Sequence, residues 1–134
     1  MPRPTLLVLL ALAVTACSRE ERDAAAERRF ASQALTGVLA YPQSNIAGVA
    51  TGTEAAEVTL TTPAAPAQVA GWYRQVLRLN NWELRSDAPQ SDGAVVMHAT
   101  KDGRPLWVTI RPTVGAPGTT YTLVGVVLEG DSIR

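Results

Sequence analysis

The stretch from Val58 to Leu84, VTLTTPAAPAQVAGWYRQVLRLNNWEL, constrains the fold more than any other part of the chain. Val58 and Leu60 alternate with Thr59 and Thr61, the two-residue period of a strand with one buried face. Pro63 and Pro66 break that period. Pro66 suits a first helical position, where a backbone N–H would have no partner in any case. From Val69 the period lengthens, with Val69, Trp72, Tyr73 and Val76 forming one apolar stripe and Gln68, Arg74, Gln75 and Arg78 the wet side. Asn80-Asn81 closes the helix, and Trp82 and Leu84 resume the alternation. Spacing alone predicts strand, helix, strand.

A chain of 134 residues has room for one domain once its N-terminal segment is set aside. Twelve basic residues balance twelve acidic ones, so the excess of positive charge that nucleic acid requires is missing. Nucleic acid is not an expected partner.

Arg3 supplies a positive start, and Thr5 to Val14 is an apolar run too short for a hydrocarbon core about 30 Å thick. The run fits the central region of a secretory signal. Val14-Thr15-Ala16-Cys17 follows, and it resembles the lipobox of bacterial lipoproteins: an aliphatic residue, two small ones and the cysteine that takes the lipid. The resemblance implies a signal peptide over residues 1–16, cleavage before Cys17 and a covalent lipid on Cys17. Ser18, rather than Asp, implies by the same resemblance sorting to the outer membrane of a Gram-negative cell, facing the periplasm. Each buried methylene contributes about 0.8 kcal/mol, so several acyl chains make a lasting membrane anchor.

Residues 17–40 then read as a lipidated tether. Ala, Glu and Arg favour a helix over about Asp23 to Leu39, serving as a spacer or packing its last turns on the domain, and Tyr41-Pro42 ends it. Residues 41–134 form the single domain. Ile46 to Ala56 adds at most a short irregular strand, because Gly48 and Gly52 interrupt it. Strands are expected over Trp82–Ser86, Ala94–Thr100, Arg104–Arg111 and Thr119–Leu128, with a tight hairpin at Lys101-Asp102-Gly103. The last strand is apolar on both faces and so belongs at the centre of a sheet or under a cover. Glu129 to Arg134 frays.

The fold class is therefore α+β: an antiparallel sheet of about four to five strands packed on one helix, β-α-β-β-β. The expected core is Val58, Leu60, Trp72, Val76, Leu84, Val95, Met97, Leu106, Val108 and Ile110. The Tyr41-Pro42 entry, VTLTTP, VAGWYRQVL, NNWEL and the KDGR hairpin resemble the small helix-grip-like domains of bacterial envelope lipoproteins over about Tyr41 to Leu128. Asn81 stands where that pattern usually has Gly, and Asn can still adopt a left-handed cap.

Chemistry is scarce. His98 is the sole histidine and faces outward from its strand, without a partner acid or nucleophile in the pattern. One His, and one Cys consumed by lipid, supply too few ligands for a zinc site. Asp87, Asp92 and Asp102 sit beside Gly or Pro, where Asp shapes turns. No nucleophile or phosphate-loop motif occurs. The chain is read as non-catalytic, with no metal and no cofactor beyond the lipid.

The candidate site is a surface: Val96, His98, Trp107 and Arg111 on the sheet face away from the helix, joined by Thr109, Glu83 and Arg85. Either Trp107 seats an envelope protein partner, or it covers the sheet or lies under the N-terminal helix. Three functions follow: an adaptor for an envelope protein, an inhibitor of an envelope enzyme, or a module holding a small apolar ligand or lipid between helix and sheet. The last requires a cavity of at least ~300 Å³ with an open mouth.

Overall fold

The computed structural model describes residues 10–127. The first nine residues of the expected signal segment, Leu128 and the expected frayed tail Glu129–Arg134 lie outside the described residues. In chain order the elements are α1 (Leu10–Ala34), β1 (Asn45–Thr51), β2 (Ala55–Thr62), α2 (Pro66–Leu79), β3 (Glu83–Pro89), β4 (Val95–Lys101), β5 (Arg104–Pro112) and β6 (Thr119–Val126). The six strands form one antiparallel sheet ordered β1-β2-β6-β5-β4-β3. That is one strand more than the sequence predicts, while both helices correspond to expected ones. The residues of the irregular segment make a full hairpin, β1 with the start of β2, through a bulge between Ile46 and Gly48.

Both helices lie on the same face of the sheet. α1 covers β1, β2 and β6, and α2 packs on β3 and β5. Alternation in the strands feeds that face: Val58 and Leu60 from β2, Met97 and Ala99 from β4, Leu106, Val108 and Ile110 from β5, and Tyr121 and Leu123 from β6 are all buried. At roughly 1.5–3 kcal/mol per fully buried large apolar side chain, this layer dominates the stability of the domain.

Helix α2 begins with Pro66 at its first turn, and Gln68 Oε1 accepts the Ala65 N–H at 3.3 Å. It ends in a left-handed cap. Asn81 has φ +63°, its N–H bonds to the Arg78 carbonyl, and the Trp82 N–H reaches back to the Leu77 carbonyl. The expected stripe shifts by part of a turn: Val69, Ala70, Tyr73 and Leu77 are buried, whereas Trp72 and Val76 are half-buried at the margin. Leu84 and Val95 are likewise half-buried, and Ala94 and Trp82 enter the core instead. Tyr73 needs room for its ring to reach Tyr121, with centroids 5.7 Å apart, and this contact sets the rotation of the helix.

Helix α1 starts earlier than predicted and stops at Ala34, before Leu39. Its C-terminus is closed by three devices: Thr36 Oγ1 donates to the Ser32 and Gln33 carbonyls, Gly37 takes φ +77°, and Arg104 Nη2 donates to the Gln33 carbonyl at 2.7 Å. The first two are local, but Arg104 comes from the far side of the chain. Ala31 and Ala34 are buried against the sheet, with Phe30 and Leu35 packed beside them, so the last turns of α1 belong to the core. Gly125 makes this approach possible, since a Cβ there would collide with the backbone of Ala34 and Leu35 Cδ2.

Candidate functional site: a groove between the first helix and the sheet

The segment between α1 and β1 is fastened to the core by two buried tyrosines. Tyr73 OH donates to the Leu39 carbonyl at 2.9 Å. Tyr121 OH accepts the Tyr41 N–H at 3.0 Å and shares a 2.6 Å hydrogen bond with the Ser44 hydroxyl. Tyr41 also meets Trp72 edge-on at 5.4 Å, which explains why Trp72 sits at the helix margin rather than beneath it. These contacts hold residues 35–40 above the sheet as a fixed wall.

Between that wall, α1 and strands β1, β2 and β6 lies an open groove of about 590 Å³. Leu35, Val38, Ile46, Val49, Val58 and Leu60 make its lining apolar, with Leu123 at its floor and Arg28 and Ser32 at its α1 side. The volume is in the range of small-molecule sites. Its position corrects the sequence-based expectation. The space under α2 is filled, because Val69, Tyr73, Met97, Leu106, Val108, Ile110 and Tyr121 pack it closed. The groove lies instead under α1, on the other half of the same sheet face, and on the α2 half a hollow of about 510 Å³ flanks the first turns of the helix, against Gly93, Val95 and Pro112.

A smaller cavity of about 210 Å³ adjoins the C-terminus of α1 and is lined by Thr36, Gly37, Trp82, Lys101, Asp102 and Arg104. Trp82 is 5% exposed, and its indole N–H has no hydrogen-bond acceptor. An unmet buried donor costs about 1–3 kcal/mol. Burial of the large ring offsets this, so the site is tolerated without being satisfied.

The other face of the sheet carries the residues singled out from sequence. Val96, His98, Trp107, Thr109 and Arg111 share it, in the registers Val96↔Thr109 and His98↔Trp107. Trp107 is 37% exposed and stacks on His98, with centroids 5.0 Å apart and planes 12° apart. α1 packs on the opposite face, so of the alternatives for Trp107 the one beneath the N-terminal helix is overturned. Val124 flanks Trp107 from β6, a strand central in the sheet but open on this side. Arg111 is engaged by Asp92. Glu83 pairs with Arg85, and Arg85 Nε also donates to Thr100 Oγ1 at 3.2 Å.

Asp92 does form a turn, accepting the Ala94 N–H at 3.1 Å; that bond and Arg111 lower its pKa below the ordinary carboxylate range. Asp102 sits in the two-residue β4–β5 turn at φ +50°. Asp87 does not form a turn. It lies within β3 and takes two hydrogen bonds from Arg74 of α2, which raise the pKa of Arg74 further. Among the described residues, no three His, Cys, Asp or Glu side chains gather as a metal site, and no helix is long and apolar enough to cross a membrane. Cys17 falls within the span of α1.

Sequence reasoning missed the groove, because it arises where α1 meets β1. The faint signals were the exposed apolar Ile46 and the lone Gly125 in an apolar strand. The family model described as START domain-like matches residues 42–121. No curated protein and no solved structure matches the chain.

Proposed function

Because the chain belongs to the START domain-like family, we propose that its domain is a binding module for a small apolar ligand or lipid, held in the groove between α1 and the sheet. One observation carries this reading: an open groove of about 590 Å³ whose lining, from Leu35, Val38, Ile46, Val49, Val58 and Leu60, is apolar. The test is titration of the whole chain with a neutral, environment-sensitive fluorophore such as N-phenyl-1-naphthylamine. Uptake is expected to saturate at one site. Val49→Trp, which fills the groove from the one half-buried residue of β1, is expected to weaken it about tenfold or more without lowering the melting temperature, because the lost contacts are with the ligand. Thr109→Trp on the opposite face leaves it intact. Non-saturating uptake, or uptake indifferent to Val49→Trp, refutes the proposal.

The module is proposed to be non-catalytic and anchored by lipid on Cys17 to the outer membrane, facing the periplasm. The lipobox resemblance supports this. So does the exposed, charged run Arg19–Asp23, which suits a spacer. Cys17→Ser is expected to release the protein from the membrane fraction; unchanged retention refutes the anchor.

A second reading, docking of an envelope protein or an enzyme to be inhibited, is favoured by the half-open Trp107 stacked on His98. Photo-crosslinking in cells from position 107, against a control at exposed Gln75, tests it. A discrete protein adduct at 107 alone supports docking; equal labelling at both sites removes it.

A further inference from the structure

The small cavity and the apolar groove share two wall residues, Thr36 and Gly37. They differ in chemistry. The small cavity is lined by three side chains that can only donate hydrogen bonds: the indole of Trp82, the guanidinium of Arg104 and the ammonium of Lys101. Two of these donors are buried without an acceptor, the indole N–H of Trp82 and Nε of Arg104. Arg104 spends its Nη2 on the Gln33 and Ala34 carbonyls, which leaves Nε unused on the same rigid fork. Among the described residues no carboxylate pairs with Lys101 or Arg104. Asp102 is the single acid in the lining, and it is exposed in the turn. Two positive charges thus stand against one negative.

Packing explains the burial of the Trp82 ring. It does not explain an indole donor left unmet beside two cations. Such a lining complements a group that only accepts hydrogen bonds and carries negative charge, a carboxylate or a phosphate.

We propose that the ligand is an anionic amphiphile, its carboxylate or phosphate held among Lys101, Arg104 and Trp82 and its apolar chain laid along the groove past Thr36–Gly37. This rests on the groove being the ligand site and adds the charge and shape of what occupies it.

The test compares decanoate, decyl phosphate and decanol, all below their critical micelle concentrations, with acetate and inorganic phosphate. Binding to the whole chain is followed by the indole N–H signals in nitrogen–proton correlation spectra, with Trp82→Phe identifying the Trp82 signal. Decanoate and decyl phosphate are expected to bind about tenfold tighter than decanol and to move the Trp82 signal. Lys101→Gln leaves the Arg104 contact with α1 in place, and it is expected to reduce the two anions toward the affinity of decanol while decanol itself is unchanged. Equal binding of all three chains with an unmoved Trp82 signal overturns the anion site and leaves the groove reading standing. Acetate or inorganic phosphate matching the long-chain anions overturns the amphiphile, because the chain then contributes nothing. No binding by any of the chains overturns both readings.

Discussion

The hydroxyl of Tyr73 couples three parts of the molecule, since its ring is fully buried in α2, touches Tyr121 of β6 and ties down the Leu39 carbonyl. Burial foremost, then Tyr121 beside it, raises its pKa above the ordinary phenol range. The sign of the linkage follows. Above pH ~10 an unfolded chain releases this proton while the folded chain keeps it, so the stability contribution is complete below that pH and falls as pH rises past it. An alkaline absorbance titration, read as the difference from Tyr73→Phe, is expected to show Tyr73 ionising only together with unfolding; Tyr73 titrating in the native protein near pH ~10 would contradict this. Gly125 poses the opposite demand, for absence of bulk. Gly125→Ala is expected to cost about 1–3 kcal/mol, because the new methyl meets the Ala34 backbone rather than a flexible side-chain end. Denaturant melts measure it, and a change under ~0.5 kcal/mol would mean that α1 does not lie where the glycine places it.

Among the elements, α2 and the β4–β5 hairpin were legible from sequence because their signals are local: Pro66 at the start, Asn81 at the left-handed cap, Asp102-Gly103 in the turn. Hairpin β1–β2 was only half legible. β1 is an edge strand, almost wholly exposed, so it lacks the alternation that marks a buried face, and its bulge between Ile46 and Gly48 breaks what period remains. The end of α1 was illegible for a different reason. Its terminal carbonyls are met by Arg104, some seventy positions along the chain, and no local pattern encodes that. The groove inherits the same opacity, since its two sides meet only through tertiary contact. Arg104→Met tests the dependence at this scale. Hydrogen exchange is expected to accelerate in the last two turns of α1 and at β1, while α2 and β4 keep their protection. Uniform acceleration would show that α1 is not a separable unit; no change would show that the Arg104 clamp is idle.

At the scale of the molecule, a single sheet face is divided in two. α2 packs over the β5-β4-β3 half, with a hollow only beside its first turns, and α1 leaves the β1-β2-β6 half open enough to hold a groove. β6 joins the halves, paired with β2 on one side and β5 on the other, although it is the last strand in chain order. Before β6 exists, the β1–β2 hairpin and the β3–β4–β5 meander share no backbone hydrogen bonds, and β2 and β5 each present a bare edge. The pairing of β2 with β6 spans most of the domain, so its loop-closure entropy must be met before the sheet closes. A ribosome extruding this chain from its N-terminus therefore releases the other five strands before the sheet can close. Late closure keeps the other five strands threadable through a narrow pore until β6 has been made.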